Sequence, residues 1–453
     1  MATEVELKLT LPSKAVANFL QDPMLGEALN VLVLDNQYFD TDDLLLNQAH
    51  AALRIRKSQH GFKQTLKNKG TALAGLHVRG EGEYDLPAAT LDWSLFPDDV
   101  KIDKTLRDKI KPIFNTDFSR HVWIKTFNNS EIELVLDQGS IEYGDSHVPM
   151  CEVELELIKG DAADLFSFAL ELAKSHPLVP CDINKAERGY ALLQPTLTFF
   201  SAQDFSTHYL NQSNFSLSAL LQETLTRISR SWDDFASHEN WWSLVVLSRQ
   251  VQGLAWMINQ LPKVPESLQL GLNDLSTELV TLLEPGSVVI ALSVDRHNHS
   301  RGLLQRLLQN LAPTLNEGLD AFIHNNKLGN IMLMLGQYLY KQDAELSFNE
   351  YLLSSLHNLE VSQWQENNSG QMQTLQGLAY LFRRLKHPAY PLLNRFITSR
   401  LVVGAMDLAV EGLPCISDEY SKAKLSSWVR RLTVEQRDLA DARSALFESL
   451  SGL

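Results

Sequence analysis

The chain has 453 residues, of which 44% are apolar and 21% charged; that allows two or three domains with sizeable cores and excludes global disorder. Its formal net charge of −15 argues against general binding to nucleic acid or to an anionic membrane, because neither attracts an acidic surface. Cys151, Cys181 and Cys415 are isolated, so neither a zinc site nor a disulfide framework is expected, in keeping with a reducing compartment. With no basic and apolar leader, and with polar residues interrupting every long apolar stretch, the expectation is a cytoplasmic protein without signal peptide or transmembrane helix.

Side chains of a β-strand alternate between faces, and the chain opens on such an alternation. In EVELKLTL (4–11) Glu4, Glu6 and Lys8 share one face, and Val5, Leu7, Leu9 and Leu11 the other. A helical stretch is predicted near 13–21, followed by a strand in LVLDNQYFDT (32–41). AALRIRK (51–57) and GFKQTLK (61–67) form a hairpin about the turn QHG at 59–61. LHVRGEGEYDL (76–86) is the next strand, and 104–114 is predicted helical. EIELVLDQG (131–139) and VPMCEVELELI (148–158) complete about eight strands of period two, an antiparallel sheet or closed barrel. A helix over 161–175 has Asp161 as its cap, ahead of Leu165, Phe168, Ala169 and Leu172.

Beyond residue 200 the period changes to that of helices. Leu217, Leu221, Leu225, Ile228 and Trp232 mark one helix face, and a second long helix spans roughly 241–260. Breaks at 261–267, 284–286 and 385–391 divide the rest into an all-helical bundle. The predicted fold is therefore α+β: an N-terminal eight-stranded antiparallel β tunnel or barrel with flanking helices over 1–195, a linker over 196–214, and a helical domain over 215–453.

The charged faces sort by sign. Arg54 and Arg56 share a face of the third strand, and Lys63 and Lys67 a face of the fourth. His77, Arg79, Glu81 and Glu83 align on the next. Glu131, Glu133 and Asp137 align with Ile132, Leu134 and Leu136 behind them; Glu152, Glu154 and Glu156 align with Val153, Leu155 and Leu157 behind. If helices cover the apolar faces from outside, the lumen is charged, and like charges confined together are costly. A polyanion beside the basic groups and a divalent cation beside the carboxylates would relieve both, which points to a metal-bound phosphate chain.

In the order YFDT (38–41), LRIR (53–56), TLK (65–67), RGE (79–81), TDFSR (116–120), LDQG (136–139), CEVELEL (151–157) and NKAERGY (184–190), the segments after EVELK resemble the CYTH superfamily, the triphosphate tunnel metalloenzymes. The resemblance implies hydrolysis of inorganic triphosphate to pyrophosphate and phosphate with Mg²⁺ or Mn²⁺. It implies that Lys8, Arg54, Arg56, Lys67, Arg79, Arg120 and Lys185 grip phosphate, with Lys63 a neighbouring candidate. Glu4, Glu6, Glu81, Asp137, Glu152, Glu154 and Glu156 would hold metal, and Glu4, Glu6, Lys8 and Lys185 would act in catalysis. Arg120 shares parity with Val122 and Ile124, so it enters the tunnel just before a strand or past a bulge; Lys185 lies outside any alternation.

The helical remainder resembles a CHAD domain by length, position and helicity. That domain's basic first-helix signature is absent, since WWSLVVLSRQVQGLAW (241–256) holds only Arg249. The helical half is accordingly expected to bind polyphosphate weakly at most, or to dock a protein. No P-loop and no nucleophile constellation is present; His77 and His121 read as structural or rim residues, and Tyr38 as part of the barrel wall. The alternatives are a non-catalytic polyphosphate- or nucleotide-binding module, and an adenylate cyclase or thiamine-triphosphatase of the same superfamily.

Overall fold

A computed structural model describes residues 2–193 except 69 and 97–103, and then 217–238, 241–259, 261, 263–283, 318–341, 375, 377–379, 382–383, 388–412 and 419–450. The ten strands among these residues are β1 (Ala2–Thr10), β2 (Asn30–Asp40), β3 (Ala52–Ser58), β4 (Gly61–Lys67), β5 (Thr71–Leu73), β6 (Leu76–Leu86), β7 (Lys111–Phe127), β8 (Ser130–Tyr143), β9 (Ser146–Lys159) and β10 (Val179–Pro180). Antiparallel pairing runs β1, β9, β8, β7, β2, β3, β4, β6, and β6 pairs back to β1. Eight strands thus close into a barrel, with β5 and β10 as short additions. Closure leaves no free barrel edge, so every long strand finds backbone partners on both sides.

Alternation then decides what lies inside. Leu134 faces Leu155, which faces Leu7; Leu136 faces Val153, which faces Leu9. These six side chains are wholly buried, on the side opposite Glu6, Lys8 and Glu154. The helix α4 (Ala163–Ala173) covers that outer row, packing on β1 and β9. The N-cap position is Ala162, without a side-chain cap; Asp161, the expected cap, stands one residue earlier, where its Oδ1 accepts from the Ala163 N–H at 2.9 Å. Earlier helices are α1 (Val16–Leu20), preceded by a 3₁₀ turn at Ser13–Ala15, and α2 (Leu45–Gln48). The helix predicted over 104–114 is shorter than expected: α3 is Lys104–Arg107, and β7 begins at Lys111. Pairing of Lys111 and Pro112 with Asp40 and Phe39 of β2 overrides the local helical pattern.

One end of the lumen is filled by α5 (Lys185–Leu193), which packs on β7 and β8. Ala186 and Tyr190 join Tyr38, Phe114 and Phe118 in a common apolar cluster. Gly189 permits this approach, since a Cβ there would lie 2.1 Å from the Phe114 ring.

Two compact units divide the chain. One comprises Met1–Asn211, Ser218–Glu239 and His324–Glu345; the other comprises Gln212–Leu217, Asn240–Ile323 and Leu346–Leu453. The barrel unit therefore takes two helices from the later half, α6 (Leu217–His238) and, after α7 (Trp241–Asn259) and α8 (Glu266–Leu283) of the other unit, α9 (Lys327–Tyr340). Ser229 of α6 donates to the Pro180 carbonyl at 3.0 Å and accepts from the Asp182 N–H at 3.1 Å. Gln337 of α9 donates to Ser167 Oγ at 2.8 Å. The second unit also contains α10 (Tyr390–Gly412), α11 (Glu419–Val429) and α12 (Leu432–Leu450). The expected linker at 196–214 lies outside the described residues. A chain ending at residue 195 would expose the surfaces that α6 and α9 cover, and is expected to melt at lower temperature than the full chain; equal melting would contradict this packing.

Candidate active site

The barrel encloses a cavity of about 1070 Å³. Glu4, Glu6 and Lys8 of β1 border it, with Arg54 and Arg56 of β3, Lys67 of β4, and Arg79 and Glu81 of β6. Arg120 of β7, Glu154 and Glu156 of β9, and Lys185 of α5 complete the predicted residues on its wall. Three predicted residues stand elsewhere. Lys63 is 47% exposed and bonds Glu83 at 2.8 Å, on the rim. Asp137 and Glu152 lie buried behind the wall, where Lys185 Nζ meets them at 2.9 and 2.7 Å.

Arg120 needs no bulge. The β7–β8 register is continuous from Asn115 to Phe127, and Arg120 faces Asp137. It donates from Nε and Nη2 to the two Asp137 oxygens, both at 2.7 Å. The puzzle of its parity is resolved by the lumen face itself, which includes apolar Phe118; the guanidinium carbon and Lys185 Nζ lie 5.8 and 5.4 Å from that ring. Lys185 escapes strand alternation because it is the first residue of α5.

Acid and base are interleaved rather than kept on separate walls. Lys67 bonds Glu4 at 2.9 Å and Glu81 at 3.2 Å. Arg79 donates from Nε to Glu4 at 2.9 Å and from Nη2 to Glu6. Glu154 accepts from Lys8 at 2.6 Å, Lys185 at 2.8 Å and Arg120 at 3.0 Å. Much of the lumen charge that the sequence left to bound contents is thus relieved internally. Burial opposes ionisation of Glu154, yet Lys185, Lys8 and Arg120 together hold its carboxyl well below the usual range.

Two corners of the cavity are less fully compensated, the basic one having the Glu83 carboxylate 3.8 Å from Arg56 Nη1. Burial, then Arg54 and Arg120, push the Arg56 guanidinium down to about 9. Asn36 Oδ1 accepts from Arg56 Nε at 2.9 Å, and Arg54 Nε is buried without a hydrogen-bond partner. At the other corner, burial and then Glu4, Glu133 and Glu6 push the Glu156 carboxyl up to about 7. The first corner would gain from an anion and the second from a cation.

Sequence alternation had aligned Glu133 with Asp137, but no motif singled it out; it borders the cavity beside Glu156. Tyr38 is in the wall as expected, stacked on Phe114 at 4.5 Å, and it also borders the cavity. His77 is buried, with Nε2 3.2 Å from the Cys181 carbonyl. Arg230 of α6 borders the cavity too, and nothing in its local sequence announces that.

The CYTH domain family model matches residues 2–190. Residues 2–190 are a CYTH domain. An inorganic triphosphatase of Haemophilus influenzae is 33% identical over 222 residues, 47% of this chain and 59% of the relative. The match therefore spans less than two thirds of that relative's length. Among solved structures, the CYTH barrel is similar to a Hippeastrum protein described as an adenylyl cyclase candidate with a dominant triphosphatase activity. That structure is 19% identical, with a TM-score of 0.35 over 42% of this chain and 95% of that one. An adenylate cyclase candidate of Bacillus halodurans is 23% identical, with a TM-score of 0.30 over 42% of this chain and 98% of that one.

Among the described residues no group of three or more His, Cys, Asp or Glu side chains is already arranged around a metal position. The donor chemistry of the CYTH cavity nevertheless fits a hard divalent cation at the Glu156 corner, where carboxylates raise one another's affinity for positive charge. A carboxyl raised in the folded state contributes stability that is complete below its unfolded value and is lost as pH rises through the folded one. For Glu156 that window runs from the ordinary carboxylate value of 4.5 up to about 7. Metal-free Glu156→Gln is expected to lose less melting temperature than wild type between pH 5 and pH 8 (roughly the window of that shift). Parallel melting curves across this range would contradict the assignment.

Proposed function

We propose that the CYTH domain hydrolyses inorganic triphosphate to pyrophosphate and phosphate with a divalent metal, Mg²⁺ or Mn²⁺. The observation that carries this reading is the pair of opposed corners within one cavity: Arg54 and Arg56 crowd together on β3, with the Glu83 carboxylate 3.8 Å from Arg56, while Glu133 faces Glu156 across β8 and β9 with Glu4 and Glu6 nearby. A metal-bound phosphate chain supplies an anion to the first and a cation to the second. A mere phosphate-binding module has no use for the carboxylate corner, which favours the enzyme.

Phosphoryl transfer depends mainly on positioning and on stabilising charge that spreads over the peripheral oxygens. In this reading Arg54, Arg56 and Arg120 hold the phosphate chain by forked contacts, and Lys8 and Lys185 place point charges beside it. Glu4, Glu6, Glu133 and Glu156 would hold the metal, which neutralises phosphate charge and activates water when bound. Asp137 and Glu152 keep Lys185 charged and oriented; burial opposes its ammonium, but Asp137, Glu152 and Glu154 raise it well above the ordinary lysine value.

Arg56→Ala removes one charge-assisted contact, worth about 1.5–3 kcal/mol, and is expected to weaken triphosphate binding roughly 10- to 150-fold. Unchanged affinity, measured by calorimetry with Mg²⁺ present, would remove β3 from the substrate wall.

The helical part beyond the CYTH span is proposed to be CHAD-like and to act as a scaffold or protein-docking unit. Residues 201–453 carry 20 Lys and Arg against 25 Asp and Glu, net −5, whereas affinity for long polyanions requires dense local cations. Two basic runs of this half, RHNHSR (296–301) and RRLKH (383–387), lie outside the described residues except for Arg383. At about 0.15 M salt the Arg54→Ala/Arg56→Ala double variant is expected to bind long-chain polyphosphate weakly or not at all. Salt-resistant submicromolar binding by that variant would place a polyphosphate site in the helices.

A further inference from the structure

The carboxylates behind the tunnel wall do not end the ion-pair system. Arg188, one turn after Lys185 on α5, points Nε at Glu152 Oε1 from 3.5 Å. Both atoms are buried, and neither has a hydrogen-bond partner. The terminal nitrogens of Arg188 grip both oxygens of Asp233 on α6, Nη1 at 3.0 Å, and Nη1 also lies 3.3 Å from Ser237 Oγ. Asp233 is 2% exposed. On the same stretch of α6, Ser229 fixes Pro180 and Asp182, and Arg230 bonds Glu187 of α5.

The consequence is a buried chain of alternating charge, Asp233 to Arg188 to Glu152 to Lys185, leading from α6 to the cavity. Held by Asp233, Arg188 stays 3.5 Å from Glu152 and leaves the other oxygen of Glu152 to Lys185. Released, its buried charge would close on Glu152, the nearest remaining carboxylate, and compete with the lysine. We propose that Asp233 is a positioning residue for the tunnel: it fixes Lys185 through Arg188 and Glu152, which makes α6, outside the CYTH span, a part of the catalytic unit. The proposal rests on the triphosphatase reading for its kinetic consequence but not for its structural one.

The kinetic test is a double-mutant cycle in the full chain with triphosphate and Mg²⁺. Asp233→Asn is expected to lower kcat/KM about tenfold alone and less than about twofold in a Lys185→Gln background, because the two substitutions act on one group. Asp233→Glu, which keeps the carboxylate, is expected to restore at least about half of the loss. Full-size loss in both backgrounds, or none in either, would overturn the proposal. The structural test needs no turnover: labelling by an amine-reactive ester, read by peptide mass spectrometry as Lys185 relative to Lys67, is expected to rise at least about fivefold in Asp233→Asn as Lys185 is released. An unchanged ratio would overturn it. Were Asp233→Asn to misfold, Arg188→Lys, which keeps the charge and loses the forked grip, should give the same ratio change, and its failure to do so would equally refute the chain. A wild type inert on triphosphate would refute the triphosphatase reading, while the labelling still decides the role of Asp233.

Discussion

Glu154→Gln is expected to abolish nearly all turnover of triphosphate and to destabilise the barrel. Its carboxylate accepts from Lys8, Lys185 and Arg120 at 2.6, 2.8 and 3.0 Å, so an isosteric amide leaves three buried cations short of one counter-charge. Removing one partner of a buried pair costs about 3–5 kcal/mol, and the displaced cations no longer converge on the phosphate chain. A transition-state penalty in that range corresponds to a fall in kcat/KM of at least about 100-fold. Because the folded Glu154 carboxyl is held below 4.5, the stability it supplies is present at neutral pH and lost as pH falls through the lowered value. The melting temperatures of wild type and variant should therefore converge toward acid. Triphosphate, a replacement anion, should raise the melting temperature of the variant more than that of wild type. Wild-type turnover, or a melting temperature equal to wild type at pH 7, would show that the three cations do not depend on this residue.

Glu6→Gln tests the opposite corner. Glu6 is nearly wholly buried and bonded by Arg79, and it is one of the groups that raise the Glu156 carboxyl. Neutralising it weakens the carboxylate set, and the metal concentration for half-maximal activity is expected to rise roughly 10- to 100-fold, the usual effect of losing a group that tunes a metal site. Triphosphate affinity measured at saturating metal should change far less than in Arg56→Ala. If the two variants instead share one phenotype, the cavity does not divide anion and cation duties between β3 and β1.

The barrel was legible because it repeats one rule. Leu7, Leu9, Leu134, Leu136, Val153 and Leu155 alternate with charged residues, and register brings each set to one face. Period put Arg54, Arg56, Glu154 and Glu156 on the charged faces of their strands, and the helices expected over the apolar faces turned those charges toward the lumen, where they border the cavity. What escaped was set by three-dimensional neighbours. Arg120 was obscured by Val122 and Ile124, which share its parity; its own neighbour on that face is Phe118. The pairing of Glu4 with Lys67 and Arg79 is a matter of register across β4 and β6, which parity does not give. Asp137 and Glu152 have the same parity as the cavity residues, yet Lys185 covers them. Helices α6 and α9 read as members of the helical half because their period is helical, whereas their packing joins them to the barrel unit.

The most direct measurement is phosphate release by the full chain, supplied in parallel with inorganic triphosphate, ATP and thiamine triphosphate, each with Mg²⁺, with Mn²⁺ and with a chelator. The expected result is conversion of triphosphate to equal amounts of pyrophosphate and phosphate, faster than either nucleotide-like substrate, lost with chelator and restored by added metal. Folded protein that stays inert on triphosphate with both metals from neutral to alkaline pH, or that releases phosphate undiminished in chelator, would contradict it.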